Sequence, residues 1–156
     1  MLTGLIIWLN RLFLFSAGLV LLLMMILACA NMVLRFWGYP LQGTFELMGF
    51  GGALVASLAL GGTQLKQGHI HVDILQPGNK ILDKILNLVG RLLCILFFSL
   101  LAWQLFALGQ EIKASGELSE TLHLAYYPML YAVGLGFILL VMVLILQTIQ
   151  ELRGQD

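Results

Sequence analysis

Four stretches without any charged residue set the strongest limit on how this chain folds. They cover residues 12–34, 47–65, 92–110 and 124–150. A helix rises about 1.5 Å per residue, so roughly 20 residues cross the ~30 Å hydrocarbon layer of a bilayer. Each stretch is therefore long enough to span a membrane as a helix.

The composition also favours a lipid environment. Sixty percent of the 156 residues are apolar, only 10% are charged, and the mean hydropathy is +0.97. A soluble globular protein carries about 25% charged residues. The runs are continuously apolar, without the alternation of a barrel strand. We predict an all-α integral membrane protein, a single domain over residues 1–156, with four transmembrane helices at approximately residues 12–34, 47–65, 86–110 and 126–148.

The distribution of lysine and arginine predicts the orientation. With four spans, both termini share a side with the connection 66–91. That side holds six basic residues and the other holds two: Arg11, Lys66, Lys80, Lys84, Arg91 and Arg153 against Arg35 and Lys113. Because cytoplasmic segments are enriched in lysine and arginine, we predict that both termini lie in the cytoplasm.

A short amphipathic segment precedes the third span. Residues 77–79, Pro-Gly-Asn, mark a turn. Apolar residues then recur at helical spacing, with polar residues between them: Ile81, Leu82, Ile85 and Leu86. We predict an interfacial lead-in that lies in the headgroup region before the third helix crosses the membrane.

The second span carries small residues spaced four apart. They are Gly49, Ala53, Ser57 and Gly61. Small side chains let another helix backbone approach closely. The stripe fits packing within the chain's own four helices, and it fits equally well the docking of a partner protein.

Glu46 lies at the predicted outer start of the second helix, and Arg35 lies near the outer end of the first. Carboxylates within a membrane often carry protons or cations. A position at a helix N-terminus, however, is favourable for a negative charge, and Arg35 is an available partner. We therefore expect a structural ion pair between Arg35 and Glu46 rather than an ion-coupling site.

Two histidines and an aspartate follow the second span. His69 and His71 share a face in an extended segment, but a metal site with Asp73 would need a further ligand from elsewhere. We expect His69 and Asp73 to bond backbone groups where the chain turns along the membrane surface. Cys29 and Cys94 lie in apolar runs without ligand spacing, and no span contains a histidine for haem. No metal or cofactor is predicted.

The predicted outer segment between the third and fourth spans is acidic. It carries Glu117 and Glu120, followed by His123, Tyr126 and Tyr127. These residues fit either a solvated loop or a surface that receives a soluble extracytoplasmic protein. The net charge is zero and the sequence has no basic run, so no nucleic-acid partner is predicted.

Three short motifs lie at the ends of the spans. Residues 44–47 read Thr-Phe-Glu-Leu, residues 66–75 read Lys-Gln-Gly-His-Ile-His-Val-Asp-Ile-Leu, and residues 116–122 lead to Tyr127-Pro128 and Tyr131. With four spans, both ends inside and similar length, the chain resembles the small, DctQ-like membrane subunit of tripartite ATP-independent periplasmic (TRAP) transporters. The resemblance covers nearly the whole chain.

This resemblance implies a transport mechanism shared among three proteins. A soluble periplasmic binding protein captures an organic anion, such as a carboxylate or a sialic acid. A large membrane subunit then carries it inward by an elevator movement driven by a sodium gradient. The small subunit, in the bacterial or archaeal inner membrane and surrounded by lipid, is implied to be a scaffold that does not bind substrate.

On this basis two contact surfaces are expected. The first would dock the large subunit through the small-residue face, with one end fixed by Arg35 and Glu46 and the other by His69 and Asp73: Gly49, Ala53, Ser57, Gly61, Arg35, Glu46, His69 and Asp73. The second would contact the binding protein: Glu117, Glu120, His123, Tyr126 and Tyr127.

Two other classes remain open. One is a quinone- or haem-binding membrane anchor of a respiratory enzyme, which the absence of histidine from the spans disfavours. The other is a small multidrug exporter, for which the only candidate carboxylate, Glu46, lies near the end of a span. The sequence contains no catalytic motif, and no enzymatic activity is predicted.

Overall fold

The computed structural model describes residues 2–65 and 80–152, which form four helices and no strand. The helices are α1 (Leu2–Phe36), α2 (Thr44–Leu65), α3 (Lys80–Ser115) and α4 (Tyr127–Leu152). Each contains a segment long and apolar enough to cross a membrane: Ile6–Phe36, Thr44–Leu65, Leu88–Ser115 and Tyr127–Gln150. The prediction of an all-α protein with four such helices is confirmed, whereas its orientation stays a prediction.

The ends of α1 and α3 are set by glycine. Gly38 has a φ of 83° and donates its N–H to the carbonyl of Arg35 at 3.1 Å. Gly116 has a φ of 69° and donates to the carbonyl of Ile112 at 3.0 Å. Glycine is common just beyond a helix end because it takes this left-handed conformation without a Cβ penalty. Both helices therefore stop at a defined residue and turn into a short loop.

Two of the helices are longer than the membrane requires. α1 has 35 residues and α3 has 36, which gives each a length of about 50 Å against a hydrocarbon layer of ~30 Å. α1 begins at Leu2 rather than at residue 12. The predicted lead-in forms the first turns of α3, which runs without a break from Lys80 into the span.

The four described helices pack in a row and not as a square bundle. α2 contacts α1 on one side and α4 on the other, and α3 packs on the far side of α4. α1 touches α4 only slightly, and within the described residues α3 contacts neither α1 nor α2. The order across the row is α1, α2, α4, α3, so α1 and α3 form its two edges.

α4 supplies most of the core. One third of an apolar 18-residue window of α4 is buried inside the chain, compared with 6% of the corresponding window of α1. Leu140 and Val143 are almost fully buried. α4 also approaches α2 closely at Gly136, where an added Cβ would lie 2.8 Å from the backbone carbonyl of Ser57. The centre of the row is therefore a tight α2–α4 contact, and the edges are open to lipid or to another protein.

Candidate interaction surfaces

The small-residue stripe of α2 divides into two halves. Ser57 is 1% exposed and packs against Gly136 of α4. Gly61 is also buried. Gly49 and Ala53 are exposed, and a Cβ added at Gly49 would meet no atom within 4 Å. Ser57 and Gly61 thus pack against other helices of the chain, while Gly49 and Ala53 face open space.

The exposed half is wider than the sequence spacing suggested. Gly52 also has open space at its Cβ position, and Ala56 is exposed. Residues at i, i+3, i+4 and i+7 share one face of a helix. We define the open small-residue face by the four residues with this spacing: Gly49, Gly52, Ala53 and Ala56.

Glu46 is bound by the α3–α4 loop and not by Arg35. Its carboxylate accepts hydrogen bonds from the Ser119 hydroxyl at 2.8 Å, the Thr121 N–H at 2.7 Å and the Leu122 N–H at 3.3 Å. Arg35 is exposed, and no ion pair joins it to Glu46 in the part of the chain that the structure describes. The expected ion pair was wrong because Ser119, Thr121 and Leu122 of the loop supply the hydrogen-bond donors to the carboxylate.

The α3–α4 loop is closed around Ser119, which is 7% exposed. The Ser119 N–H donates to the carbonyl of Leu124 at 2.9 Å, and the Ser119 carbonyl accepts from the N–H of His123 at 3.2 Å. The Ser119 hydroxyl also accepts a long bond from the Leu124 N–H at 3.4 Å. His123 has a φ of 50°, which lets the chain turn back toward the loop. These bonds give the loop a defined shape of its own.

Two further contacts attach this loop to α2. The Leu122 side chain lies directly over Gly43, where a Cβ would collide with it. The Tyr126 ring stacks on the Phe50 ring, with centroids 5.9 Å apart and planes inclined by 14°. Together with the Glu46 hydrogen bonds they form what we call the loop clasp: Gly43, Glu46 and Phe50 with Ser119, Thr121, Leu122 and Tyr126.

The five predicted binding-protein contacts lie in or next to this loop. Glu117, Glu120 and His123 are exposed. Tyr126 and Tyr127 are half-buried, the latter with the Lys113 ammonium 5.8 Å from its ring centre. Desolvation and the neighbouring negative charge of Glu117 raise the pKa of the Tyr126 hydroxyl. The Glu117 carboxylate therefore interacts with the Tyr126 hydroxyl at the loop surface, while Glu120 and His123 are exposed and the tyrosine rings are held by packing.

The other end of α2 is joined to α4 by a pair of amides. The Gln64 side-chain N–H donates to the Gln147 Oε1 at 2.8 Å, and the Gln147 side-chain N–H donates to the Gln64 carbonyl at 3.0 Å. Sequence reasoning missed this pair, although two glutamines near the ends of apolar runs were a visible signal. His69 and Asp73 lie outside the described residues, so their role stays a prediction.

Asn10, like the two glutamines, is a polar residue that sequence reasoning missed. It is 6% exposed, and its Oδ1 atom has no hydrogen-bond partner. A Cβ added at Gly61 would lie 2.9 Å from that oxygen. Glycine at position 61 thus makes room for a polar side chain of α1 at the α1–α2 contact.

What these features share is that they serve contacts between the helices of this chain, or between a helix and a loop. The described residues include no group of three or more His, Cys, Asp or Glu side chains that could hold a metal ion. The four long apolar helices define the class of the chain, a multi-pass membrane protein. A family model, Tripartite ATP-independent periplasmic transporters, DctQ component, matches residues 24–154.

The chain belongs to this DctQ family, and the resemblance inferred from its motifs is confirmed. It is a small subunit of a TRAP transporter, a multi-pass protein of the inner membrane. Members of the family are transporter components that work with a large permease and a periplasmic binding protein. Searches of curated proteins and of solved structures gave no match.

Proposed function

We propose that this chain is the scaffold subunit of a sodium-driven transporter for an organic anion of the carboxylate or sialic acid class. In this proposal it supports the large elevator subunit and does not bind the substrate. The observation that carries the scaffold role is the absence of any charged residue from 12–34, 47–65, 92–110 and 124–150. Ion-coupled carriers place ionisable side chains deep inside their spans, whereas the charged residues here lie only near the span ends, so coupling and substrate binding belong to the partner.

The proposed orientation has both termini in the cytoplasm. The excess of lysine and arginine on that side supports it. The Glu46 hydrogen bonds join the start of α2 to the loop before α4, so the two short loops share one end of the molecule. In this orientation the loop clasp faces the periplasm, where a soluble binding protein meets the transporter.

The open small-residue face of α2 is the proposed docking surface for the large subunit. Gly49 and Gly52 have no atom within 4 Å of their Cβ positions, and Ala53 and Ala56 are exposed. Between membrane helices, small residues allow the close backbone approach that drives association. Ser57 and Gly61 support this face indirectly, because they hold α2 against its neighbours within the chain. Arg35, His69 and Asp73 remain predicted contacts at its ends.

The docking surface is tested by enlarging one residue. Ala53→Phe places a ring on the open small-residue face and is expected to abolish co-purification of the large subunit, because the backbones no longer approach. The measurement is a mild-detergent pull-down of the tagged chain from its native membrane, with mass spectrometry of the bound proteins. The wild type is expected to recover a large polytopic protein in near one-to-one amounts.

Ala107→Phe is the matched control. Ala107 is also exposed, but it lies on α3 at the far edge of the row, so this variant is expected to retain the partner. If Ala53→Phe still co-purifies with the large subunit, the open small-residue face of α2 is not the docking surface. Recovery of redox subunits by the wild type would instead favour a respiratory membrane anchor.

A further inference from the structure

We propose that Glu46 is a positioning residue, whose carboxylate fixes the α3–α4 loop on α2 in the shape that the periplasmic binding protein recognises. This inference rests on the proposed function, since it takes the loop as the contact for that protein. It assigns Glu46 to the docking of the soluble partner and not to proton or cation transport.

The hydrogen bonds of Glu46 use both carboxylate oxygens. Oε1 accepts from the Thr121 N–H, and Oε2 accepts from the Ser119 hydroxyl and the Leu122 N–H. Two of these donors are backbone groups of a loop without regular structure. Hydrogen bonds to an ionised acceptor are about twice as strong as neutral ones. Without the carboxylate, the N–H groups of Thr121 and Leu122 would have to donate to water instead.

The two sides of this contact differ in secondary structure, since one is a helix and the other is a loop. Glu46 is in the first turn of α2, a helix of 22 residues whose centre packs tightly on α4. The partner groups lie in the loop between Ser115 and Tyr127. Leu122 packs over Gly43, directly before α2, and Tyr126 stacks on Phe50 in its second turn, so the two contacts flank the hydrogen bonds at the start of α2. The helix therefore acts as the fixed reference, and the loop is the part that is positioned.

Within the loop clasp, some residues of the α3–α4 loop are buried against α2 and others are exposed to solvent. Ser119 is buried, while Leu118 on one side of it is 51% exposed and Glu120 on the other is exposed as well. Glu117 and His123 share the outward surface. A surface held in its bound shape loses less conformational entropy when it meets a partner. Without the loop clasp, the exposed side chains of the loop would no longer be held in the arrangement that the binding protein contacts.

The test combines loop order with transport kinetics. Glu46→Gln keeps the size of the side chain but removes the charge and leaves only one acceptor oxygen, which cannot reproduce the bonds to both the Thr121 N–H and the Leu122 N–H. We expect faster amide hydrogen exchange at Thr121 and Leu122 in the purified complex. We also expect the KM for the loaded binding protein to rise about tenfold with kcat nearly unchanged, since tenfold corresponds to ~1.4 kcal/mol.

The kinetics are measured in proteoliposomes that hold the complex, with a sodium gradient and increasing amounts of its purified binding protein. The probes are radiolabelled succinate and N-acetylneuraminate, one for each proposed substrate class. Glu111→Gln is the matched control because Glu111 is exposed on α3 and has no part in the loop clasp. Ser119→Ala removes one donor and is expected to raise KM less, and Glu46→Asp is expected to restore part of the affinity.

Each result has a distinct meaning. Unchanged exchange at residues 121–122 in Glu46→Gln would show that Glu46 does not hold the loop. Faster amide hydrogen exchange with an unchanged KM would show that the order of the loop does not affect binding of the binding protein, and it would overturn the inference. A fall in kcat with altered sodium dependence would make Glu46 a coupling carboxylate. Failure of the wild-type complex to transport either probe, or to contain the large subunit, would instead count against the proposed function.

Discussion

Gly43 meets two requirements that other residue types do not. Its φ is 75°, and the Leu122 side chain occupies the position of a Cβ. Gly43→Ala therefore imposes an unfavourable backbone conformation and also displaces Leu122 from α2. We expect a loss of about 1–3 kcal/mol of stability, visible as a lower thermal transition in detergent and as faster exchange in the α3–α4 loop.

Gly90→Ala provides the matched control for Gly43. Gly90 lies within α3, and a Cβ there meets no atom within 4 Å. Alanine in a helix interior is favoured over glycine by up to ~1 kcal/mol, so this variant is expected to be neutral or slightly stabilised. Equal effects of the two substitutions would mean that Leu122 does not pack on Gly43 in the membrane.

Glu46 illustrates how far a single residue can be understood from the sequence. Its place at the start of a helix follows from the apolar run after it, and the structure agrees. Its partner could not be found in this way. Ser119 is 73 positions away in the chain, and a local pattern identifies only a nearby charge such as Arg35. The long-range hydrogen bonds depend on α4 returning beside α2.

At the scale of the helix, the small residues predicted to share one face of α2 point in two directions. Each step of four residues advances about 400° around a helix, so a strict four-residue spacing winds by ~40° per step. Gly49 and Gly61 are three such steps apart and point in different directions. This drift explains why Ser57 and Gly61 pack inside the chain, while Gly52 and Ala56 complete the open small-residue face with Gly49 and Ala53.

The glutamine pair gives a testable estimate of how firmly α2 is held to α4. Gln147→Leu leaves the Gln64 amide without its partner, and Gln64→Leu does the reverse. Hydrogen bonds between membrane helices average ~0.6 kcal/mol and reach about 1.7 kcal/mol. A double-mutant cycle on thermal unfolding is expected to give a coupling energy in this range. Additive effects of the two single variants would show that the amides do not interact.

Gln104→Leu serves as the control for this cycle. Gln104 is an exposed amide in the middle of α3, so its removal is not expected to couple with either member of the pair. Coupling of similar size between Gln104 and Gln64 would point to a general effect of hydrophobicity on unfolding.

For the whole molecule, the number of helices followed from the charge-free runs, but their order across the row did not. Helices that are apolar all round carry no stripe that tells a neighbour from lipid. The order depends instead on close contacts such as Gly136 with Ser57. Nothing in the spacing of Gly136 on α4 identifies α2 as its partner, so α1 and α3 could not be assigned to the edges from the sequence.

The orientation of the whole molecule decides whether the loop clasp can meet a soluble periplasmic partner. Six basic residues against two predict cytoplasmic termini. Alkaline phosphatase, which is active only in the periplasm, is therefore expected to be active when inserted after Glu120 and inactive when fused after Asp156. A green fluorescent protein fused after Asp156 is expected to fluoresce. The reverse pattern would place Glu117, Glu120 and His123 in the cytoplasm, and the clasp would then have to serve a contact inside the cell.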